Sequence, residues 1–197
     1  VGSSEEYGNV DKSQMPLTED MRLSPVSPYA AARVSQELLS KVYVDGYDMD
    51  IVLTRSFNHF GPYQDARFVI PSFLKRIRDV AASGKKEGVI ETGDTTIIRD
   101  FVDVRDVVRA YYLLLMEGQP GEIYNVCGGR GIALSELISK MAEILDVSIT
   151  GRVNPEFVRP DDNRVVIGSY EKIKRAVGWE PRIELTQTIK DMILANE

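Results

Sequence analysis

Along this chain, short apolar runs with strand character alternate with amphipathic helical patterns of ten or more residues. A strand followed by such a helix reaches its next parallel neighbour only by a crossover. Repeated alternation therefore points to an α/β protein with parallel strands. Strand patterns cover residues 50–57, 89–91, 97–102, 122–127 and 147–153. Helical patterns cover 24–47, 68–82, 104–116, 134–145, 169–177 and 185–195. In the first helix Ser27 can cap, Pro28 suits the first position, Ala30, Ala31 and Ala32 are strong helix formers, and Gly46 is a stop signal. Residues 58–67, with Gly61 and Pro62 as turn formers, read as a loop, and the polar stretch 154–164 as a loop facing substrate or joining lobes. With 197 residues and 43% hydrophobic content, the chain can build a real core in one domain or two small lobes.

Composition removes several function classes. A net charge of −6 disfavours nucleic acid or an anionic membrane as the main partner. No apolar run approaches a membrane span and no signal peptide opens the sequence, so a cytoplasmic protein is expected. The single cysteine, Cys127, excludes an intrachain disulfide and reads as a packing residue in a buried strand. The single histidine, His59, excludes sites that need two and reads as a loop hydrogen-bonding residue. Asp100, Asp103 and Asp106 are spaced carboxylates, but Asp103 reads better as the cap of the following helix, and no metal is expected. The opening Val1-Gly2-Ser3-Ser4 looks like the tail of a buried strand running into a loop, and a buried parallel strand needs neighbours. Sequence is therefore expected upstream of Val1.

Two residues carry candidate chemistry. Tyr29 and Arg33 lie four apart in the first helix and project from one face. A tyrosine, with an ordinary pKa near 10, serves as an acid–base group at neutral pH when a cation stabilises its phenolate. A serine hydroxyl at a strand end, Ser3 or Ser4, could complete a site that hydrogen-bonds a carbonyl or hydroxyl oxygen. The spacing alone leaves open a half-buried helix tyrosine beside an unrelated arginine.

Longer blocks add a resemblance. Gly2-Ser3-Ser4-Glu5-Glu6-Tyr7-Gly8, followed by Ser27-Pro28-Tyr29-Ala30-Ala31-Ala32-Arg33, resembles the extended short-chain dehydrogenase/reductase family that remodels nucleotide sugars. The segment from Arg55 to Pro62, the block Arg99 to Val107, Tyr124-Asn125-Val126, Arg159-Pro160-Asp161-Asp162 with Ile167-Gly168, and Gly178-Trp179-Glu180-Pro181 are similar to that family's later motifs, in order. Phe57-Asn58-His59 and the Arg159 block resemble most the branch acting on GDP-hexoses, the GDP-4-keto-6-deoxy-mannose reductases and GDP-mannose 4,6-dehydratases. The loop Phe60 to Gln64 is similar to the reductase version, whereas Glu5 lies where dehydratases keep an acid–base glutamate.

The resemblance implies a Rossmann-like parallel sheet with a smaller α/β lobe for the nucleotide sugar. Residues 1–57 would belong to the Rossmann-like part and 58–197 mainly to the lobe, with 97–127 returning to the sheet. It implies NADP or NAD as cofactor, a GDP-hexose as substrate and hydride transfer at sugar carbon 4. Tyr29 would donate the proton, Ser3 would hydrogen-bond the same oxygen, and Arg33 would assist at the cofactor ribose. Glu5 would act at carbons 5 and 6 in a dehydratase. Asn58, Arg99 and Arg159 would hold the sugar nucleotide. A homodimer is implied too, built on the tyrosine helix, where Leu38, Leu39, Val42 and Tyr43 could serve either the interface or the chain's own core.

Two departures stand out. Arg33 occupies the family's lysine position, and arginine is planar and bulkier. No Gly-x-Gly-x-x-Gly opens a helix after a strand; Gly128-Gly129-Arg130-Gly131 has the wrong spacing and reads as a strand-to-helix turn. The family's pyrophosphate-binding half would precede Val1, and these 197 residues alone are expected neither to turn over nor to bind NADPH tightly. A non-catalytic fragment binding a sugar nucleotide is the competing reading.

Overall fold

The computed structural model describes residues 1–158 and 163–195. Among them no helix is long and apolar enough to cross a membrane. The chain is α/β and mostly parallel. β1 (Gly2–Ser3), β2 (Leu53–Ser56) and β6 (Ile123–Val126) form one parallel sheet in the order β1-β2-β6. β3 (Asn58–Phe60), β5 (Ile98–Asp103), β7 (Gly131–Ala133) and β9 (Val165–Val166) form a second, in which only the β5–β7 pair is antiparallel. β4 (Glu87–Thr92) and β8 (Ser148–Val153) pair in parallel by themselves.

The helices follow the sequence signals closely. α1 (Pro28–Tyr47) starts at the expected cap, where Ser27 Oγ accepts the Ala30 N–H at 3.1 Å. It runs through Gly46 and turns only at Asp48, at φ 52°, a left-handed position that aspartate tolerates through its short polar side chain. α2 (Val69–Ala82), α3 (Val104–Glu117), α4 (Leu134–Ile144), α5 (Glu171–Val177) and α6 (Leu185–Ala195) complete the set. Asp103 caps α3 as expected, its Oδ1 accepting the Arg105 N–H at 2.7 Å. β3 replaces the start of the expected loop at 58–67. Its pairing with Phe101–Asp103, about forty residues on, is a long-range register that three residues cannot announce locally.

Three cores hold these layers. The largest joins Ile70, Phe73, Leu74 and Ile77 of α2 to Leu137 and Met141 of α4 and Ile189 and Met192 of α6. A second packs Val107, Ala110 and Leu114 of α3 against Tyr124, Val126, Ile173 and the fully buried Trp179. The third is small, comprising Tyr7, Leu17, Phe57 and Cys127, and lies beneath the candidate site. Gly8 makes the tight return there possible. Its φ is 69°, and a Cβ at that position would collide with the Ser24 carbonyl. On α1 only Ala30 and Glu37 are buried; Leu38, Leu39, Val42 and Tyr43 face outward rather than into the chain's own core.

Candidate active site

β1, β2 and β6 run in the same direction, with Ser3 opposite Ser56 and Ser56 opposite Val126. The residues that follow each strand, Ser4-Glu5, Phe57-Asn58 and Cys127-Gly128, therefore share one edge. Ligands of open parallel sheets bind at this carboxyl edge.

α1 packs against β1. Tyr29, Arg33 and Glu37 step along it at intervals of four, which places them on one stripe. Tyr29 is 49% exposed, and the Arg33 guanidinium lies over its ring, 5.1 Å from the centroid. Arg33 Nη1 also donates to the Val1 carbonyl at 3.3 Å and to Gln36 Oε1 at 2.8 Å. The helix is thereby tied to the strand that ends at Ser3. Ser3 in turn caps a 3-10 turn, Ser4–Tyr7. Its Oγ accepts the Glu5 N–H at 3.2 Å, while its own N–H donates to Glu6 Oε1 at 2.7 Å. With the oxygen engaged, the hydroxyl proton of Ser3 is available to another acceptor. The Glu5 side chain is exposed at the same edge.

A buried polar network underlies this loop. Arg55 donates through Nε and Nη2 to the two Glu37 oxygens at 3.0 and 2.9 Å, and through Nη1 to Tyr7 Oη at 3.1 Å and the Glu19 carbonyl at 3.0 Å. Glu6 Oε2 lies 3.9 Å from Arg55 Nε. Tyr7 Oη donates to Asn125 Oδ1 at 2.7 Å. Burial pushes the Tyr7 phenol up to about 12. Burial also pushes the Glu6 carboxyl up to about 7; the nearby Glu37 adds to this, while the Ser3 N–H and Arg55 oppose it.

The shift at Glu6 has a definite consequence for stability. Its ordinary value is 4.5, so the folded chain holds this proton more tightly than the unfolded chain does. That contribution is complete below pH 4.5 and is lost as the pH rises through about 7. Glu6→Gln still offers Ser3 an acceptor and cannot ionise. Unfolding free energies of wild type and Glu6→Gln are therefore expected to differ by an amount that changes across this window. A difference that stays constant with pH would remove Glu6 as the titrating group.

The second set of expected residues sits on neighbouring strands. Asn58 opens β3, is exposed, and pairs with Phe101. Arg99 is two residues earlier on β5, half-buried between Ile132 of β7 and Val166 of β9, with Nη1 donating to the Ile98 carbonyl at 3.0 Å. Asp100 is fully buried and accepts three backbone N–H groups, from Gly128 at 2.6 Å and from Gly129 and Gly168 at 3.0 Å. Burial pushes its carboxyl up to about 7 against those donors. Asp103 binds Arg105 and the Thr188 hydroxyl; Asp106 binds Arg109 and the N–H groups of Arg182 and Ile183. The three spaced aspartates thus have separate partners. Among the described residues no cluster of three or more His, Cys, Asp and Glu side chains could hold a metal. His59 Nδ1 lies 3.1 Å from the Phe57 carbonyl, and Cys127 is buried with its thiol pushed up, chiefly by burial. Arg159 lies outside the described residues.

The structure therefore places Ser3 at the end of β1 and Glu5 in the turn after it, packs α1 with Tyr29 and Arg33 against both elements, and sets Asn58 and Arg99 on the paired strands β3 and β5. Sequence reasoning missed Glu6 and Glu37. A signal existed for Glu37, which extends the four-residue steps of Tyr29 and Arg33.

Comparison with known proteins identifies the family. The family model described as GDP-mannose 4,6 dehydratase matches residues 1–192. The GDP-6-deoxy-D-mannose reductase of Pseudomonas aeruginosa is 33% identical over 98% of this chain and 63% of its own length. The dTDP-glucose 4,6-dehydratase of an Actinoplanes species is 32% identical over 98% of this chain and 58% of its own. The solved structure of RMD from Pseudomonas aeruginosa complexed with NADPH superposes with a TM-score of 0.92 at 32% identity, covering 98% of this chain and 64% of that one. The chain thus spans less than two thirds of the proteins it matches. From the ordered motifs, the shared fold and a match over nearly all its length, this chain belongs to the GDP-mannose 4,6 dehydratase family of extended short-chain dehydrogenase/reductases that act on nucleotide sugars.

Proposed function

We propose that this chain carries the proton-donating and sugar-nucleotide-binding side of an NAD(P)-dependent reductase of a GDP-4-keto-6-deoxy-hexose. The observation that carries the reading is the packing of α1 against β1, with Arg33 over the Tyr29 ring and hydrogen-bonded to the Val1 carbonyl two residues before Ser3. The half-exposed Tyr29 ring and the cationic face of Arg33 suit the ribose side of a dinucleotide, which Tyr29, Arg33 and Ser3 would hold. When bound, that cofactor supplies the hydride to carbon 4. Tyr29 Oη gives its proton to the oxygen that becomes the alcohol. Ser3 Oγ, already accepting from Glu5, donates to the same oxygen. Arg33 keeps a fixed positive charge beside the phenol as it loses its proton. Asn58, Arg99 and Arg159 hold the pyrophosphate and sugar, where a guanidinium can grip two oxygens at once.

The similarity to the reductase of Pseudomonas aeruginosa, and to the RMD structure complexed with NADPH, supports this reading. The exposed apolar stripe of Leu38, Leu39, Val42 and Tyr43 supports a homodimer built on α1. One observation favours a second reading, dehydration of GDP-mannose. Glu5 is exposed next to Ser3, where an acid–base carboxylate at carbons 5 and 6 would be needed.

Stoichiometry separates the two. The native gene product is expected to consume one NADPH or NADH per 4-keto sugar reduced. Loss of water from GDP-mannose without added reductant would overturn the reductase reading and leave the dehydratase.

A further inference from the structure

We propose that Glu6 is a positioning residue for the reaction at Tyr29: through the Ser3 N–H on one side and the Arg55–Glu37 pair on the other, it sets the spacing between the Ser3 hydroxyl and the tyrosine helix. This rests on the roles given above to Ser3 and Tyr29.

Four observations support it. Glu6 is fully buried, and its Oε1 accepts the N–H of Ser3 itself at 2.7 Å. Gly2 leaves the room this needs, because a Cβ there would run into Glu6 Oε1 and come within 2.6 Å of the Thr54 carbonyl. The other oxygen, Oε2, has no hydrogen-bond partner, an arrangement that is costly for a buried carboxylate. The surrounding groups resolve that cost. Arg55 faces it from β2 at 3.9 Å, Glu37 faces it from α1, and Glu19 and Tyr7 lie on the far side of Arg55. A proton on Oε2 turns an orphaned acceptor into a donor toward Glu37, whose carboxylate is already fixed by Arg55. Two carboxyl groups then share one proton over one guanidinium, consistent with the raised affinity of Glu6 for its proton. Finally, Glu37 lies on the Tyr29–Arg33 stripe of α1. The bridge therefore joins the loop that carries one reacting hydroxyl to the helix that carries the other.

The test uses the native gene product with the 4-keto sugar nucleotide and reductant. Glu6→Leu removes the grip on Ser3 and is expected to lower kcat by about 10–100-fold, since small misplacements near reacting atoms cost that much. KM should stay within about twofold, because the sugar-nucleotide contacts lie elsewhere. Glu6→Gln copies the protonated acid, with an oxygen for Ser3 and an N–H for Glu37, and is expected to keep kcat. Glu6→Asp, one methylene short, is expected to lose it, and decides the matter should the leucine variant fail to fold. Unchanged kcat in Glu6→Leu, or equal kcat in the Gln and Asp variants, overturns the proposal. Tyr29→Phe run alongside separates the two levels. If it is inactive while the Glu6 variants match wild type, only the role of Glu6 falls. If it is fully active, the reading of the whole site falls with it.

Discussion

Tyr29→Phe is expected to lower kcat by about 10²–10⁴-fold, the range that loss of a positioned general acid removes. The substitution deletes one oxygen and little else. The ring is half-exposed at the start of α1, its contact with Arg33 is made through the ring face at 5.1 Å, and both survive in phenylalanine. Unfolding midpoint and affinity for GDP should therefore match wild type, and only reductant consumption should fall. A variant that keeps its rate would mean that the proton reaches the sugar oxygen from Glu5 or from water. Arg33→Lys is the informative companion, because an ammonium would reach the same region without the planar stacking that the guanidinium makes over Tyr29.

The largest stability effect is expected at Arg55. Its side chain is 3% exposed and satisfies both Glu37 oxygens, the Tyr7 hydroxyl and the Glu19 carbonyl. Arg55→Leu leaves the Glu37 carboxylate buried without its partner. Breaking a buried pair in this way costs about 3–5 kcal/mol, far more than the pair itself contributes. Urea unfolding measures the loss directly. Arg55→Leu combined with Glu37→Leu should recover much of it, because the uncompensated charge is then gone as well. A single-variant loss below about 1 kcal/mol, the scale of an exposed pair, would show that water reaches the network.

Much of the fold was legible from periodicity because its helices are long and well signalled. α6 occupies the residues its pattern marked, and α1 begins at the Ser27–Pro28 signal. What escaped was set by pairing at a distance. β3, β7 and β9 are two or three residues long and exist only because β5 offers them a partner. The aspartate in the Arg99-Asp100 block drew notice as one of a spaced trio, and its role became visible only with Gly128, Gly129 and Gly168 folded around it. The motifs led to Ser3, Glu5, Tyr29 and Arg33, but not to Glu6. A glutamate that follows another glutamate looks like surface, and its burial depends on Gly2, Arg55 and Glu37 arriving from three other elements.

α1 combines a buried polar contact with exposed apolar residues. Arg33 reaches the Val1 carbonyl beside β1 and Glu37 reaches Arg55 of β2, whereas Leu38, Leu39 and Val42 are exposed. Because helix geometry sets these positions on different sides, substitutions at the exposed ones need not disturb the buried pair. An apolar surface can thus be gained or lost along this helix while the Arg55–Glu37 pair beneath it stays intact.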